Sequence, residues 1–577
     1  MHTPLRAALS LVFVAVAQLS FGQTGPRAFV LDQDARTVTA IDVGAGRAAQ
    51  TATIEGSPAW IRRTPDGQRL VVLDRGQGRD AGDNGFRAKT QSVATILDAR
   101  TLAVQGRVEI GWGLEPTVMF DKSGTQMSVI CSGFVSRNPK EALPRELVTI
   151  DLAAQKVTGR LTLPRRANAF FSTPDGTLAA ILSYREKGSA PQPAEMRLID
   201  LAKAAELAVI PFEGDPRNPV LSPDGKFVYL LDRGDPSGNP DRNVNGRVHV
   251  VSLSARKVDS VADAGSRPRG FVLDERGQQM LLLSEAPPER GARGDRPGQL
   301  RVIRGATVGA PINVEPNPVS LHATDDGKKI FLVSGSSVTG LSVPDLKPVS
   351  TLKAGVSGVP IAFTPDGRRL FANHMQNLWT YDLDRGVELD KITTGRTGAR
   401  LFAALDATVS TEASKAAGRR EAQEKGRSYY QYTEYSVRDP DERMAVRPDS
   451  KAVYVLNQQT SDVTVVDSES GKVLEKVGTD GFGVYFLPSA SVAIVADSVA
   501  VHVIDMTTHK KVDDLITSQG ASECVFASAN VSPDARFAII RGSGCLATVN
   551  GSSGKATATV LRFKRVADVE LDWSAPR

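Results

Sequence analysis

Arginines recur at the short connectors between apolar runs: Arg165 and Arg166, Arg217, Arg267 and Arg269, Arg396 and Arg400. A guanidinium fork matches two carboxylate or phosphate oxygens at once, so several forks at one mouth would draw an anionic ligand or an acidic partner surface. Aspartates of neighbouring loops, such as Asp215 and Asp235, are equally suited to neutralise them internally. Trp112, in Gly111-Trp112-Gly113, adds a stacking surface on another connector or packs between sheets. The ligand-binding residues expected from this pattern are Arg165, Arg217, Arg267, Arg269 and Trp112.

A second cluster is Asp241-Arg-Asn-Val-Asn-Gly246, with Asp241, Asn243 and Asn245 at alternate positions before a glycine. Hard oxygen ligands at alternate positions suit calcium, the one metal weighed here. The position where a helix-loop-helix calcium site places its bidentate Glu is Ser252, and Asn245-Gly246 is also a good hairpin turn. No cofactor is expected, calcium at this loop being the alternative. Cys524 and Cys545 are candidates for a disulfide, the alternative being buried thiols like Cys131. The histidines stand singly, and no metalloprotease helix, nucleophile elbow, phosphate loop or dinucleotide fingerprint occurs. His374, in Phe371-Ala-Asn-His-Met375, is the candidate acid or base if the chain is an enzyme, and ordinary strand packing is the alternative.

The elements that would position these residues announce themselves by a recurring turn. Thr64-Pro-Asp-Gly67, Thr173-Pro-Asp-Gly176, Ser222-Pro-Asp-Gly225, Thr324-Asp-Asp-Gly327 and Thr364-Pro-Asp-Gly367 are the tight copies, with looser ones at Arg447-Pro-Asp-Ser450 and Ser532-Pro-Asp-Ala535. Weaker copies stand at Asp121, Asp274 and Leu487. Pro presets the first turn dihedral and Gly accepts positive φ. The flanks alternate or are β-branched, as in Phe227-Val-Tyr-Leu-Leu231 and Val463-Thr-Val-Val-Asp467, so each unit reads as a four-stranded antiparallel meander.

These residues resemble the YVTN-type β-propeller repeat of the lactonase-like propeller superfamily, best matched from Pro448 to Val477 and more weakly over residues 28 to 573. The resemblance implies an all-β fold of about eleven to twelve four-stranded repeats. Ala28-Phe-Val-Leu31 and Val38-Thr-Ala-Ile-Asp42 lack a first strand, and Ala567-Asp-Val-Glu-Leu-Asp-Trp573 is a lone strand, so the two ends are expected to share one blade. Rings usually hold four to eight blades. Two tandem propellers are therefore expected, 23–315 and 316–577, the second interrupted by a short helix at 410–427. Tyr430 and Tyr432 follow it as an aromatic patch or an ordinary strand.

Long loops at Arg75 to Lys89, Gly133 to Arg145, Tyr184 to Glu195, Arg233 to Gly246 and Ala286 to Gly298 all fall between second and third strands, which would build up one rim. Residues 1–22 read as a secretory signal, with Arg6 before an apolar run too short to span a bilayer. No transmembrane segment follows. The net charge of +5 over 577 residues, without a basic run, argues against nucleic acid as a partner. The function expected is that of a secreted or periplasmic, noncatalytic propeller scaffold binding a protein, glycan or small anion on its loop-rich face. A hydrolase or lactonase, and a structural cell-surface protein, are the alternatives.

Overall fold

The computed structural model describes residues 25–573 except 77–78, 83–84, 89, 134–142, 165–166, 186–191, 223, 236–242, 274–279, 290–295, 325–326, 357–358, 360, 375–376, 394–443, 458–459, 480, 498–499 and 518–523. The expected signal peptide, the expected helix at 410–427, Tyr430 and Tyr432 lie outside the described residues.

The recurring turn closes on itself through its own side chains. Thr64 Oγ1 donates to Asp66 Oδ1 at 2.5 Å and accepts the Arg69 N–H at 3.0 Å, while the Gly67 N–H reaches the Thr64 carbonyl at 2.8 Å. Ser222 repeats the arrangement with Asp224 at 2.7 Å and the Phe227 N–H at 2.9 Å. The hydroxyl and turn hydrogen bonds hold the Asp175 and Asp224 carboxyls below the usual range, the bonds from Thr173 and Ser222 being the largest causes. Gly176 shows why the last position is glycine. Its φ is +64°, and a Cβ there would stand 2.4 Å from the Lys122 nitrogen of the preceding turn.

Where the turn ends without glycine, the same dihedral persists at a cost: Ser450 has φ 61° and Ala535 φ 52°. A left-handed non-glycine residue is disfavoured by about 1–2 kcal/mol, partly offset by the greater freedom that glycine brings to the unfolded chain. Ala535→Gly is therefore expected to stabilise the protein by roughly 0.5 kcal/mol, read as a raised denaturation midpoint. A lowered midpoint would contradict this account of the turn.

Burial follows position in the meander. Second strands such as Ala452–Asn457 are buried along their whole length, whereas outer strands such as Val473–Gly478 are mostly exposed. Apolar runs in the first case and alternation with Glu and Lys in the second reflect two covered faces against one. Among the described residues, nine four-stranded sheets and one eight-stranded sheet carry the fold. The eight-stranded sheet is two units joined by the strand Lys257–Leu273, which pairs backward as far as Gly265 and forward from Ser266. This makes eleven blades, numbered here in chain order. Blade 1 comprises 27–53 with 566–572, blade 2 58–111, blade 3 114–163, blade 4 167–212, blade 5 217–265, blade 6 266–314, blade 7 318–353, blade 8 361–393, blade 9 444–478, blade 10 483–517 and blade 11 526–562. The only helical element among the described residues is the 3₁₀ turn Pro488–Ala490. None of the described helices is long and apolar enough to cross a membrane.

A blade covers its faces only with neighbours, and each apolar cluster here joins two consecutive blades. Leu281, Leu283 and Leu300 of blade 6 pack with Leu321, Ile330 and Leu332 of blade 7. The succession returns on itself where Phe537, Ile539 and Leu546 of blade 11 pack with Ala28, Val30 and Ile41 of blade 1.

Blade 1 is completed by the far end of the chain. Strand Val566–Asp572 pairs antiparallel with Arg27–Asp32, Val569 opposite Val30. Buried Asp32 accepts backbone N–H groups from Asp34 and Ala35 on its own side of the seam and from Lys564 and Arg565 on the other, at 2.6–3.1 Å. Blade 2 buttresses the closing strand through ion pairs of Arg62 with Asp568 and Arg63 with Asp572, both at 2.7 Å.

Candidate ligand-binding face

Antiparallel pairing places the start of each first strand, the end of each second strand and the start of each third strand at one end of a blade. Connectors and second-to-third loops thus share a face. Arg217 opens the first strand of blade 5, Arg217–Leu221. Its guanidinium lies 4.7 Å from the Tyr184 ring centroid and pairs with Asp215 at 2.7 Å. The internal neutralisation weighed for this arginine is thus present, and the residue remains half-exposed above a cleft of about 570 Å³ between blades 4 and 5.

At the next junction, between blades 5 and 6, Arg267 and Arg269 converge on one buried carboxylate. Glu285 receives Arg269 at 3.3 Å, Arg267 at 3.7 Å and Arg296 at 2.8 Å. Arg296 also reaches the Ser266 hydroxyl and the Ala286 carbonyl, each at 3.3 Å. Arg267, with half its side chain exposed, presents its guanidinium to solvent.

Asn243 and Asn245 fall beside this junction. The Asn243 amide donates to Asn245 Oδ1 at 2.8 Å, Asn245 donates to Asp263 at 2.9 Å, and Asp263 pairs with buried Arg301 at 2.9 Å. Oxygens that would face a calcium ion are thus engaged in a side-chain network carrying its own cation. Asp241 lies outside the described residues, as do Arg165, Arg166, Arg396 and Arg400. No group of three or more His, Cys, Asp or Glu suited to a metal occurs among the described residues. Trp112 is half-buried on the connector from blade 2 to blade 3, its carbonyl accepting the Gly133 N–H at 3.1 Å. Cys524 and Cys545 are joined by a disulfide, Cα atoms 5.3 Å apart, tying the entry of blade 11 to its third strand. Cys131 is buried as a free thiol, and burial pushes its pKa up to about 12.

Several residues of this face were not singled out in the sequence. Tyr184, Asn218, Glu285 and Arg296 come together only through strand pairing, and no short spacing marks them. A Ser–His pair was legible in principle, because Ser320 and His322 alternate on the strand Pro318–Ala323. Ser320 Oγ lies 2.9 Å from His322 Nε2. Burial against Phe363 pushes the imidazole down to about 4, which makes it a weak base at neutral pH. His502 sits between Asp514, at 2.5 Å, and Asp497, at 3.0 Å. Burial alone would lower its pKa, yet the two carboxylates raise it. His374 ends the strand Arg369–His374 opposite Asn377.

No family model matches the chain, and no curated protein does. Among solved structures it is similar to hydrazine synthase of Kuenenia stuttgartiensis, at 17% identity over 58% of this chain and 95% of that one, with a TM-score of 0.27. It is also similar to dihydro-heme d1 dehydrogenase NirN in complex with DHE, at 16% identity over 71% and 78%, with a TM-score of 0.35. Apo AztD from Citrobacter koseri gives 14% identity over 80% and 96%, with a TM-score of 0.30. These likenesses assign neither a ligand nor a reaction.

Proposed function

We propose that this chain is an exported, noncatalytic β-propeller scaffold that captures a protein, glycan or small anionic ligand on its loop-bearing face. The observation that carries the reading is the convergence of Arg267, Arg269 and Arg296 on the single carboxylate of Glu285, with Arg267 half-exposed at that face. The YVTN-like repeat pattern and the apolar run at residues 7–17 support the scaffold and the export respectively. Arginine forks held by a buried anion are pre-oriented, so an incoming carboxylate or phosphate meets donors whose ordering cost is already met.

The test is retention of partners from the exported fraction on immobilised protein, followed by their identification. The double variant Arg217→Ala/Arg267→Ala replaces two half-exposed arginines of the face and is expected to lose most of the retained partner with its melting temperature unchanged. Undiminished retention by that variant would remove the face from the reading. Sustained turnover in a screen of lactones and glycosides, abolished by Ser320→Ala or His374→Ala, would replace the scaffold with the hydrolase alternative.

A further inference from the structure

The cleft between blades 4 and 5 combines features that a solvated surface groove does not need. Its volume of about 570 Å³ falls in the range of small-molecule sites. Asn218 lines it with only 8% of its surface exposed, holds a left-handed φ of 54°, and makes no side-chain hydrogen bond among the described residues. A carboxamide so deeply set and without a protein partner takes its hydrogen bonds from whatever occupies the cleft.

The charges around it are sorted by what they already touch. Asp232 accepts the N–H groups of Asp215 and Gly234, at 3.2 and 3.1 Å. Asp215 accepts the Arg185 N–H at 3.0 Å and both Nε and Nη2 of Arg217. Arg185 and Arg233 also line the cleft, and neither side chain has a carboxylate partner among the described residues. Asp235 lines it too, with its carboxylate unengaged among them. The walls are fixed in backbone: a Cβ at Gly234, where φ is +65°, would stand 2.3 Å from the Val244 carbonyl, and the Asp232 carboxylate fills the space a Cβ at Gly214 would take.

The vacant functions are therefore two guanidiniums, one carboxamide and one carboxylate, beside the Tyr184–Arg217 stack. Guanidiniums fit one anionic group, while a carboxamide and a carboxylate fit hydroxyls that both donate and accept. We infer that the cleft between blades 4 and 5 binds a sugar acid, its carboxylate on Arg185 and Arg233 and its hydroxyls on Asn218 and Asp235. This rests on the binding-scaffold reading and names the ligand class of one site on that face.

Calorimetric titration of the full chain tests it with sodium glucuronate, an oligogalacturonate, glucose and sodium acetate. Binding is expected for glucuronate, the oligogalacturonate or both, the tighter arm telling a free sugar acid from a glycan chain. Glucose and acetate, each carrying half of the recognised chemistry, are expected to bind at least about tenfold more weakly. Asn218→Gly keeps the left-handed backbone without strain, so it is expected to lose about tenfold in affinity with an unchanged melting temperature. Absence of saturable uronate binding, acetate binding as tightly as glucuronate, or an Asn218→Gly variant indistinguishable from wild type would each overturn the inference. Should uronates fail while an exported partner is still retained through Arg267, the inference falls and the scaffold reading stands.

Discussion

Glu570→Gln is expected to raise the stability of the protein by about 3 kcal/mol at pH 8 and to leave it almost unchanged at pH 4. Glu570 lies on the closing strand, paired across the sheet with Phe29. Its carboxyl is pushed up to about 7, chiefly by desolvation, against the opposing pull of Arg62 and the hydrogen bond of Arg63. A carboxyl whose pKa is higher in the folded than in the unfolded chain contributes stability that is complete below about 4.5. That contribution fades as pH rises through about 7. Glutamine keeps the uncharged shape at every pH, so the variant should lose this slope and nothing else. Thermal melts of both proteins across that range decide it: curves that stay parallel with pH would show that the charge on Glu570 costs the fold nothing.

The second large effect is expected at the seam itself. Asp32→Ala removes the one acceptor shared by Asp34, Ala35, Lys564 and Arg565. Several amide donors then lose a charged acceptor in a partly buried setting, a loss of about 3 kcal/mol. Asp98 offers the control. Its carboxylate also caps a turn, accepting the N–H groups of Arg100 and Thr101 at 3.0 and 2.7 Å, yet those donors are exposed and water can replace it. Asp98→Ala is expected to cost only about 1 kcal/mol. Limited proteolysis should cut the Asp32 variant near residues 25–35 well before the Asp98 variant is cut anywhere. Equal behaviour of the two would mean that the carboxylate is an ordinary turn cap.

The repeat was legible because its chemistry is written in adjacent residues. Thr64, Asp66 and Gly67 make a turn by contacts that span five positions, and the same letters recur from blade to blade. The shared first blade was legible for a similar reason, since two strands stood at one end without the third that such a unit needs. The site was legible only in part. Arg267 and Arg269 stand out as connector cations, but their anchor Glu285 and the companion Arg296 are brought in by strand pairing and a long loop, which no spacing rule anticipates. Asn218 was hidden differently. An asparagine beside Arg217 reads as an ordinary strand start, and only its left-handed backbone and its burial set it apart. Asn243 and Asn245, weighed from spacing as ion ligands, hydrogen-bond to each other, and Asn245 reaches Asp263. Alternate positions identify oxygen atoms and leave open which neighbour claims them.

Because the first blade is finished by residues 566–572, a polypeptide emerging from the ribosome carries the open rim of Arg27–Asp32 through the synthesis of more than five hundred further residues. Ten blades can stack as they appear, each on its predecessor, while the earliest waits for the latest. Such a rim is a ready template for a strand from another nascent chain, so the yield of the properly closed molecule should depend on how crowded and how slow its translation is.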